Sequence, residues 1–401
     1  MTSRAPELER TRGDWFRFDI VPEDDYHGAL AERRRHEPVQ VLTPRQGDVA
    51  VYAVYRHGDV ARVLRDQATF TLDVVRERYS AVLGSRTMLS LGSDGRRPYR
   101  KLLGAILGPG RVPDLMAGAV VPVLEDLLDD LPTQHPVDLV DAVSARLPVL
   151  AMTRMLGLSA DLAPRLGELS AAIAGFMDRP IQGVRAARDL RHVLREAVAD
   201  RRRCPRSDLI SEVVWADGDP ALWHESDVLS LLTLLVWAGT ETTGPALSNV
   251  LLALLLHPCQ LRRVRADASL LPGAIAEGLR WQAPMQWTCR SVALDTEVRG
   301  TPIPAGSLVL AHIGSANRDE TRYRDAARFD VGRSAADHFA FGHGPHHCVG
   351  SHLGRAELRL ALSALLDRFP EMELADEPPS VTGQVVRSPK ELPVLLGPRS
   401  G

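Results

Sequence analysis

The sequence predicts a mostly α fold with a minor β part, an α+β arrangement in one large domain. Three observations carry that expectation. Trp223 to Leu256 is the longest helical pattern in the chain, and at ~1.5 Å per residue it would run roughly 50 Å, far enough to cross the molecule. Helical periodicity also dominates from Tyr99 to about Ala216. Short β-rich runs punctuated by Pro and Gly gather near both ends of the chain, so helices and strands segregate instead of alternating.

In chain order, residues 1–20 read as a loose leader, of which 1–14 are polar and charged, to a domain spanning 21–401. Asp24 to Arg35 predicts a helix before Pro38. Val39–Leu42 and Asp48–Val54 predict a hairpin around Pro44 and Gly47, and His57–Asp66 a short helix. Residues 67–95 show no clear period and read as a long irregular binding loop. The helices that follow are expected to break at Pro109, Pro132, Pro148, Pro180 and Pro205. His257-Pro258 stops the long helix, and Leu270–Trp281 forms another. From Arg290 onward short strands such as Leu308–Ala311 are expected, with an amphipathic helix from Gly350 to Phe369 and a β-like tail after Glu371.

Composition excludes several classes. Hydrophobic residues make up 45% and charged residues 25% of the 401, as in globular proteins, and the formal charge of −3 offers nucleic acid no attraction. No apolar run near the N-terminus resembles a signal or anchor, so no membrane is expected. Cys204, Cys259, Cys289 and Cys348 are dispersed, which suits a reducing, cytoplasmic setting without disulfides. Arg is used almost to the exclusion of Lys, as in a GC-rich bacterial genome.

Two stretches carry chemistry. Phe341-Gly-His-Gly-Pro-His-His-Cys-Val-Gly350 places Cys348 just before a helix, where unpaired N–H groups and the helix dipole favour a thiolate. Gly342, Gly344 and Gly350 let the backbone turn tightly and approach a flat ligand. Such a thiolate can be an axial ligand to haem iron. The i, i+4 pairs His343/His347 and Cys348/His352 leave zinc open, although no Cys-x-x-Cys occurs, and an inert turn around a small apolar cysteine is a third reading. In the second stretch, Ala238 and Gly239 remove bulk mid-helix, Glu241 sets an acid beside the alcohol of Thr242, and Pro245 cannot donate to the Glu241 carbonyl. A widened turn holding water is one outcome; a kink with Thr hydroxyls bonded to i−4 carbonyls is the other.

The first stretch resembles the haem-binding loop of the cytochrome P450 family at Phe341, Gly342, Gly344, His346, Cys348 and Gly350, and the second resembles that family's oxygen-activation motif. Glu277-Gly-Leu-Arg280 is similar to its Glu-x-x-Arg pair. The resemblance, which covers nearly the whole chain, implies the P450 fold and haem b ligated by Cys348. Thr242 would steady dioxygen at the haem, and Glu241 would relay protons. It also implies a structural triad of Glu277, Arg280 and Arg328. Haem propionates would meet Arg100, Arg290 and His346, with Arg96 standing where the family has a histidine. Ala238 and Gly239 would face the haem. Leu234, Trp237, Met285, Trp287, Val385 and Val386 would line a pocket for a hydrophobic or natural-product-like substrate.

The implied reaction is a monooxygenation, most simply hydroxylation, using O2 and electrons from NAD(P)H. No reductase domain follows Gly401 in the sequence, so a separate ferredoxin or flavodoxin-type donor with its own reductase is expected. It would dock on a basic patch of Arg96, Arg97, Lys101, Arg355 and Arg359. Oxidative coupling, a peroxide-driven reaction on the same fold, and a non-catalytic zinc- or haem-binding protein remain as alternatives.

Overall fold

The apolar stretch 223–256 is helical but not one helix. In the computed structural model it forms Glu225–Thr240 and Thr243–Leu256, with every residue of Val228–Val236 and Ala246–Leu255 buried. The break falls at Glu241 and Thr242, one turn before Pro245, whose missing N–H leaves the Glu241 carbonyl without its helical donor. The hydroxyls of Thr240, Thr242 and Thr243 donate to the carbonyls of Val236, Ala238 and Gly239, adding to the disturbance. The structure describes residues 25–42, 49–84, 86–89, 91–133, 135–216, 223–335 and 337–399; the leader expected over 1–20 lies outside them.

This broken helix is the axis of the largest hydrophobic cluster, which also takes in the helices Arg146–Met155, Ala163–Ala174, Pro180–Arg203, Leu271–Trp281 and Ser351–Arg368. The helical pattern is interrupted at Pro148 and Pro180 as expected: each sits in the first turn of a new helix, Arg146–Met155 and Pro180–Arg203, where an N–H has no intrahelical acceptor. Among the described residues no single helix is long and apolar enough to cross a membrane.

The largest sheet of the minor β part has five strands in the order Val39–Leu42, Val51–Val54, Leu308–Ala311, Thr288–Val292, Phe70–Thr71, and among the described residues three smaller sheets of two or three strands accompany it. Val51–Val54 and Leu308–Ala311 pair in parallel; the other neighbours are antiparallel. Its period sends Thr288, Arg290 and Val292 to one face and Cys289 and Ser291 to the other. The antiparallel pairing expected of a hairpin joins Val39–Leu42 to Val51–Val54, and its expected turn around Pro44 and Gly47 lies outside the described residues.

The irregular loop expected over 67–95 is largely ordered. Phe70–Thr71 extends the sheet, Asp73–Leu83 is a helix burying Val74, Val82 and Leu83, and a further helix starts at Ser93. Packing against Glu225–Thr240 and Pro180–Arg203 stabilises an eleven-residue helix whose own pattern is too short to declare itself.

Candidate active site

The loop before Ser351–Arg368 is folded tightly around its glycines. The Cys348 N–H donates to Phe341 O at 2.8 Å and that of Gly342 to Phe339 O at 2.8 Å. Gly342 and Gly344 adopt φ of 73° and 69°, and a Cβ on Gly344 would sit 3.1 Å from Arg65 Cα of the His57–Arg65 helix. Only glycine permits both that turn and that approach. Gly350 caps the helix, and its N–H lies beside the Cys348 sulfur and pulls the thiol pKa down. Cys348 is accessible although protein atoms surround it, so its sulfur opens onto space inside the fold. That enclosure pushes its thiol pKa up, against the opposing pull of the Gly350 N–H, Arg355 and Arg100. Desolvation thus outweighs the helix-terminus effect read from sequence.

A cluster of cations lies beside this loop. Arg96, 6% exposed, reaches from the Ser93–Ile106 helix to within 2.8 Å of His346 Nδ1, and also donates to Gln67 Oε1 at 3.1 Å. Arg100, one turn on, donates from both terminal nitrogens to His347 O at 3.1 Å. Arg290 comes from the sheet, donating to Thr288 Oγ1 and Cys289 O. Burial lowers the Arg290 pKa to about 10, and burial together with Arg96, Arg290 and Arg100 lowers that of His346 to about 3. Among the described residues no carboxylate pairs with Arg96, Arg100 or Arg290. Arg96 therefore belongs to this buried cluster and not to the surface patch expected of it, whereas Arg97, Lys101, Arg355 and Arg359 are exposed. Arg355 also stacks over the Phe341 ring, 4.2 Å from its centroid.

Glu277 and Arg280, both fully buried, anchor the segment leading to the loop. Glu277 Oε2 accepts from Arg280 Nε at 2.7 Å; its Oε1 accepts from Arg280 Nη2, the Asp330 N–H and Arg333 Nε at 2.9, 2.9 and 3.1 Å. Arg280 Nη1 donates to Asn317 O, and Asn317 Oδ1 accepts from the Phe339 N–H, two residues before Phe341. The third side chain is Arg333, not Arg328. Arg328 is exposed and offers only its backbone carbonyl, because the chain turns at Asp325 (φ 49°) and presents the later arginine to Glu277.

On the broken helix, Ala238 is exposed and Trp237 and Gly239 are half-buried, directly after ten buried residues. The helix thus presents accessible surface here, as the loop presents an accessible sulfur at Cys348. Burial raises the Glu241 pKa, and the neighbouring hydroxyls of Ser170 and Thr240 oppose the rise. Thr242 Oγ1 donates to Ala238 O at 3.3 Å. The Trp237 ring packs 5.5 Å from that of Tyr79, which lies 6.0 Å from Phe176. Met285 and Val386 form an isolated bridge and, with Val385, are half-buried. Leu234 and Trp287, each 4% exposed, lie in the core: Leu234 belongs to the stretch of the central helix that is buried on every side, and Trp287 is clustered with Tyr26, Tyr55 and Leu310. Tyr79, Phe176, Ser170 and Arg333 were not singled out by sequence reasoning. Tyr79 was findable, as an aromatic within the apolar 67–95 segment, whereas Ser170 carried no signal.

The chain was compared with known proteins. The family model described as Cytochrome P450 matches residues 137–396. Cytochrome P450 107B1 of Saccharopolyspora erythraea is 32% identical, covering 96% of this chain and 98% of that protein. The erythromycin C-12 hydroxylase of the same organism is 33% identical over 92% and 94% of the two chains. Among solved structures, the P450 CxnD, described as forming a C–S bond in chuangxinmycin biosynthesis, superposes with a TM-score of 0.87 at 30% identity, covering 95% of this chain and 96% of that one.

Proposed function

The chain belongs to the cytochrome P450 family and is a monooxygenase, and from that premise we propose that it hydroxylates a hydrophobic, natural-product-like small molecule with electrons that originate in NAD(P)H. The family implies a thiolate-ligated haem iron and O2, and the residues present fit such a group. Cys348 supplies an accessible sulfur with an N–H beside it, and the exposed Ala238 leaves room for a flat face. Arg96, Arg100, Arg290 and His346 converge without a carboxylate among the described residues, which is the charge arrangement that two propionates of haem b would complete. This convergence is the observation that carries the proposal. When bound, the haem supplies reductive activation of O2, and its thiolate ligand favours O–O cleavage.

The chain's own residues then divide the remaining work. Phe341, Gly344 and Gly350 shape the loop that presents the sulfur, and Glu277, Arg280 and Arg333 hold the segment before it. Glu241 holds a proton at its carboxyl, and the Thr242 hydroxyl orders water or substrate oxygen in the site. Trp237, Tyr79, Met285, Val385 and Val386 bind the substrate through apolar and aromatic surface. Exposed Arg97, Lys101, Arg355 and Arg359 support docking of an acidic ferredoxin or flavodoxin-type donor. A cytoplasmic location completes the reading, supported by four free thiols.

The C–S bond formation named for CxnD favours one competing outcome, oxidative coupling without oxygen insertion. A single experiment separates them: turnover of a macrolide and terpenoid panel with NADPH, ferredoxin, its reductase and 18O2, read by product mass. Incorporation of one labelled oxygen is the expected result. Loss of two hydrogens without label would replace hydroxylation by coupling, and a reduced, CO-bound spectrum lacking the thiolate signature would end the haem-thiolate assignment.

A further inference from the structure

Three aromatic side chains from three separate elements meet next to the exposed Ala238. Trp237 lies on Glu225–Thr240, Tyr79 on Asp73–Leu83 and Phe176 in the turn Gly175–Met177. Ring centroids are 5.5 Å apart from Trp237 to Tyr79 and 6.0 Å from Tyr79 to Phe176, both within the range of favourable aromatic pairs. Aromatic residues make up only 5% of the chain, so this trio concentrates a scarce chemistry in one place. All three are half-buried, unlike the fully packed apolar residues that precede Trp237. Met177, next to Phe176, packs on the same apolar cluster as Val75 and Val385, so the trio and the Met285–Val386 bridge share one wall.

The trio is fixed from behind. Phe176 backs onto Gly183, where a Cβ would come within 2.9 Å of Phe176 Cα, so the absence of a side chain lets the two segments close together. Arg191 donates to Val82 O at 2.6 Å and ties the last turn of Asp73–Leu83 to Pro180–Arg203, where its charge also suits the negative end of the helix. Gly84 then turns with φ of 90° against Ser230 of the central helix. Rings held in place before a ligand arrives lose little freedom on binding, so they select a shape instead of adapting to it. Tyr79 adds a polar handle. Among the described residues its hydroxyl has no hydrogen-bond partner. Burial, with Cys289 nearby, raises its pKa to about 12, so it stays protonated and able to donate. An enclosed hydroxyl left unpaired is costly, and a ligand oxygen would relieve that cost.

We propose that this site selects a planar aromatic substrate bearing a hydroxyl or carbonyl group, which extends the Trp237–Tyr79–Phe176 trio by stacking and accepts a hydrogen bond from the Tyr79 hydroxyl. A saturated molecule of the same size fills the same apolar space but makes no ring–ring contact, so Trp237 and Tyr79 are the specificity-determining residues. This rests on the reading that the surface beside Ala238 belongs to the substrate pocket of a haem-loaded monooxygenase, and it names the substrate class that the pocket prefers.

The test is equilibrium binding to the haem-loaded protein, measured by calorimetry and in parallel by the change in haem absorbance. The probes are β-naphthol and its fully saturated analogue β-decalol, which share a skeleton and a hydroxyl, and naphthalene, which lacks the hydroxyl. β-Naphthol is expected to bind about fivefold more tightly than β-decalol, the size of one aromatic pair. Trp237→Leu should abolish that preference and Trp237→Phe should keep it. Tyr79→Phe should bring β-naphthol down to the affinity of naphthalene. Equal wild-type affinities, no binding of either alcohol, or a preference unchanged in Trp237→Leu overturns aromatic selection; if that variant does not fold, Tyr79→Leu replaces it with the same expectation. An affinity for β-naphthol unchanged in Tyr79→Phe overturns the hydroxyl anchor. Binding of β-naphthol that leaves the haem absorbance unmoved instead overturns the underlying reading, because the trio then lies outside the haem pocket.

Discussion

Replacing Arg333 with alanine separates two accounts of how the cysteine loop is held. Arg333 Nε makes one charge-assisted bond to a carboxylate with no exposed surface, worth ~1.5–3 kcal/mol. Its other donors go to the carbonyls of Arg324, Asp325 and Arg328, where water can replace them. Glu277 would still keep Arg280, with bonds of 2.7 and 2.9 Å, so its charge is not abandoned and the loss stays below the ~3–5 kcal/mol of a fully broken buried pair. Freeing the restrained arginine side chain returns part of the cost as entropy. The expected net loss for Arg333→Ala is therefore about 2 kcal/mol, or a fall in Tm of roughly 2–3 °C. Arg328→Ala, which removes an exposed side chain and leaves the carbonyl in place, should cost under ~0.5 kcal/mol. Arg280→Ala should be the most damaging of the three. Parallel melts of the haem-loaded variants, followed by circular dichroism and by haem absorbance, give the ordering. Equal losses for Arg333 and Arg328, or the reverse order, would refute the assignment of Arg333 to the network.

Two further outcomes follow from the opened helix. Thr242→Ala should still accept electrons but divert them to peroxide or water, lowering product formed per NAD(P)H; wild-type coupling would remove Thr242 from proton delivery. Trp237→Ala removes a half-buried indole stacked near Tyr79, and should weaken substrate binding or shift the carbon oxidised, leaving the CO spectrum unchanged. A drop in melting temperature of the size of ~3–5 kcal/mol with an unchanged product distribution would make Trp237 a packing residue.

What was legible in the sequence is what depends on local chemistry. The cysteine loop declares itself because a turn with three glycines and a sulfur before a helix is a local demand, and Gly344 does take the left-handed conformation that demand requires. The Glu277–Arg280 pair is local as well, at i, i+3 on one helix. Arg333 was not legible because Arg328 and Arg333 lie five residues apart in a loop, and the choice between them is made by the turn at Asp325. Leu234 and Trp287 lie in the core for the same reason: a residue's place in the chain near a site does not fix its rotation. Val228–Val236 are buried all round, so nothing in their apolarity marks which face opens at Ala238. Ser170 is the extreme case, an ordinary serine until the helix break is laid against it.

The arginine cluster shows how the fold and the ligand depend on each other. Arg96, Arg290 and His346 are all buried enough for desolvation to be the leading influence on them, and each bears a neighbour of the same sign or potential sign. Placing such groups together without an anion is unfavourable, first because charge leaves water and then because like charges face one another. Natural chains tolerate this at a binding site, where the ligand supplies the missing charge. Arg96 is instructive because an always-charged guanidinium, where the family resemblance leads one to expect a histidine, adds to that imbalance in the free protein. The same guanidinium gives a dianionic ligand one more strong donor. Stability surrendered in the free chain is thereby returned on binding, since a ligand that binds only the folded state stabilises it in proportion to its affinity. The identity of Arg96 therefore reads as a shift of stabilisation from the protein alone to the protein with its haem.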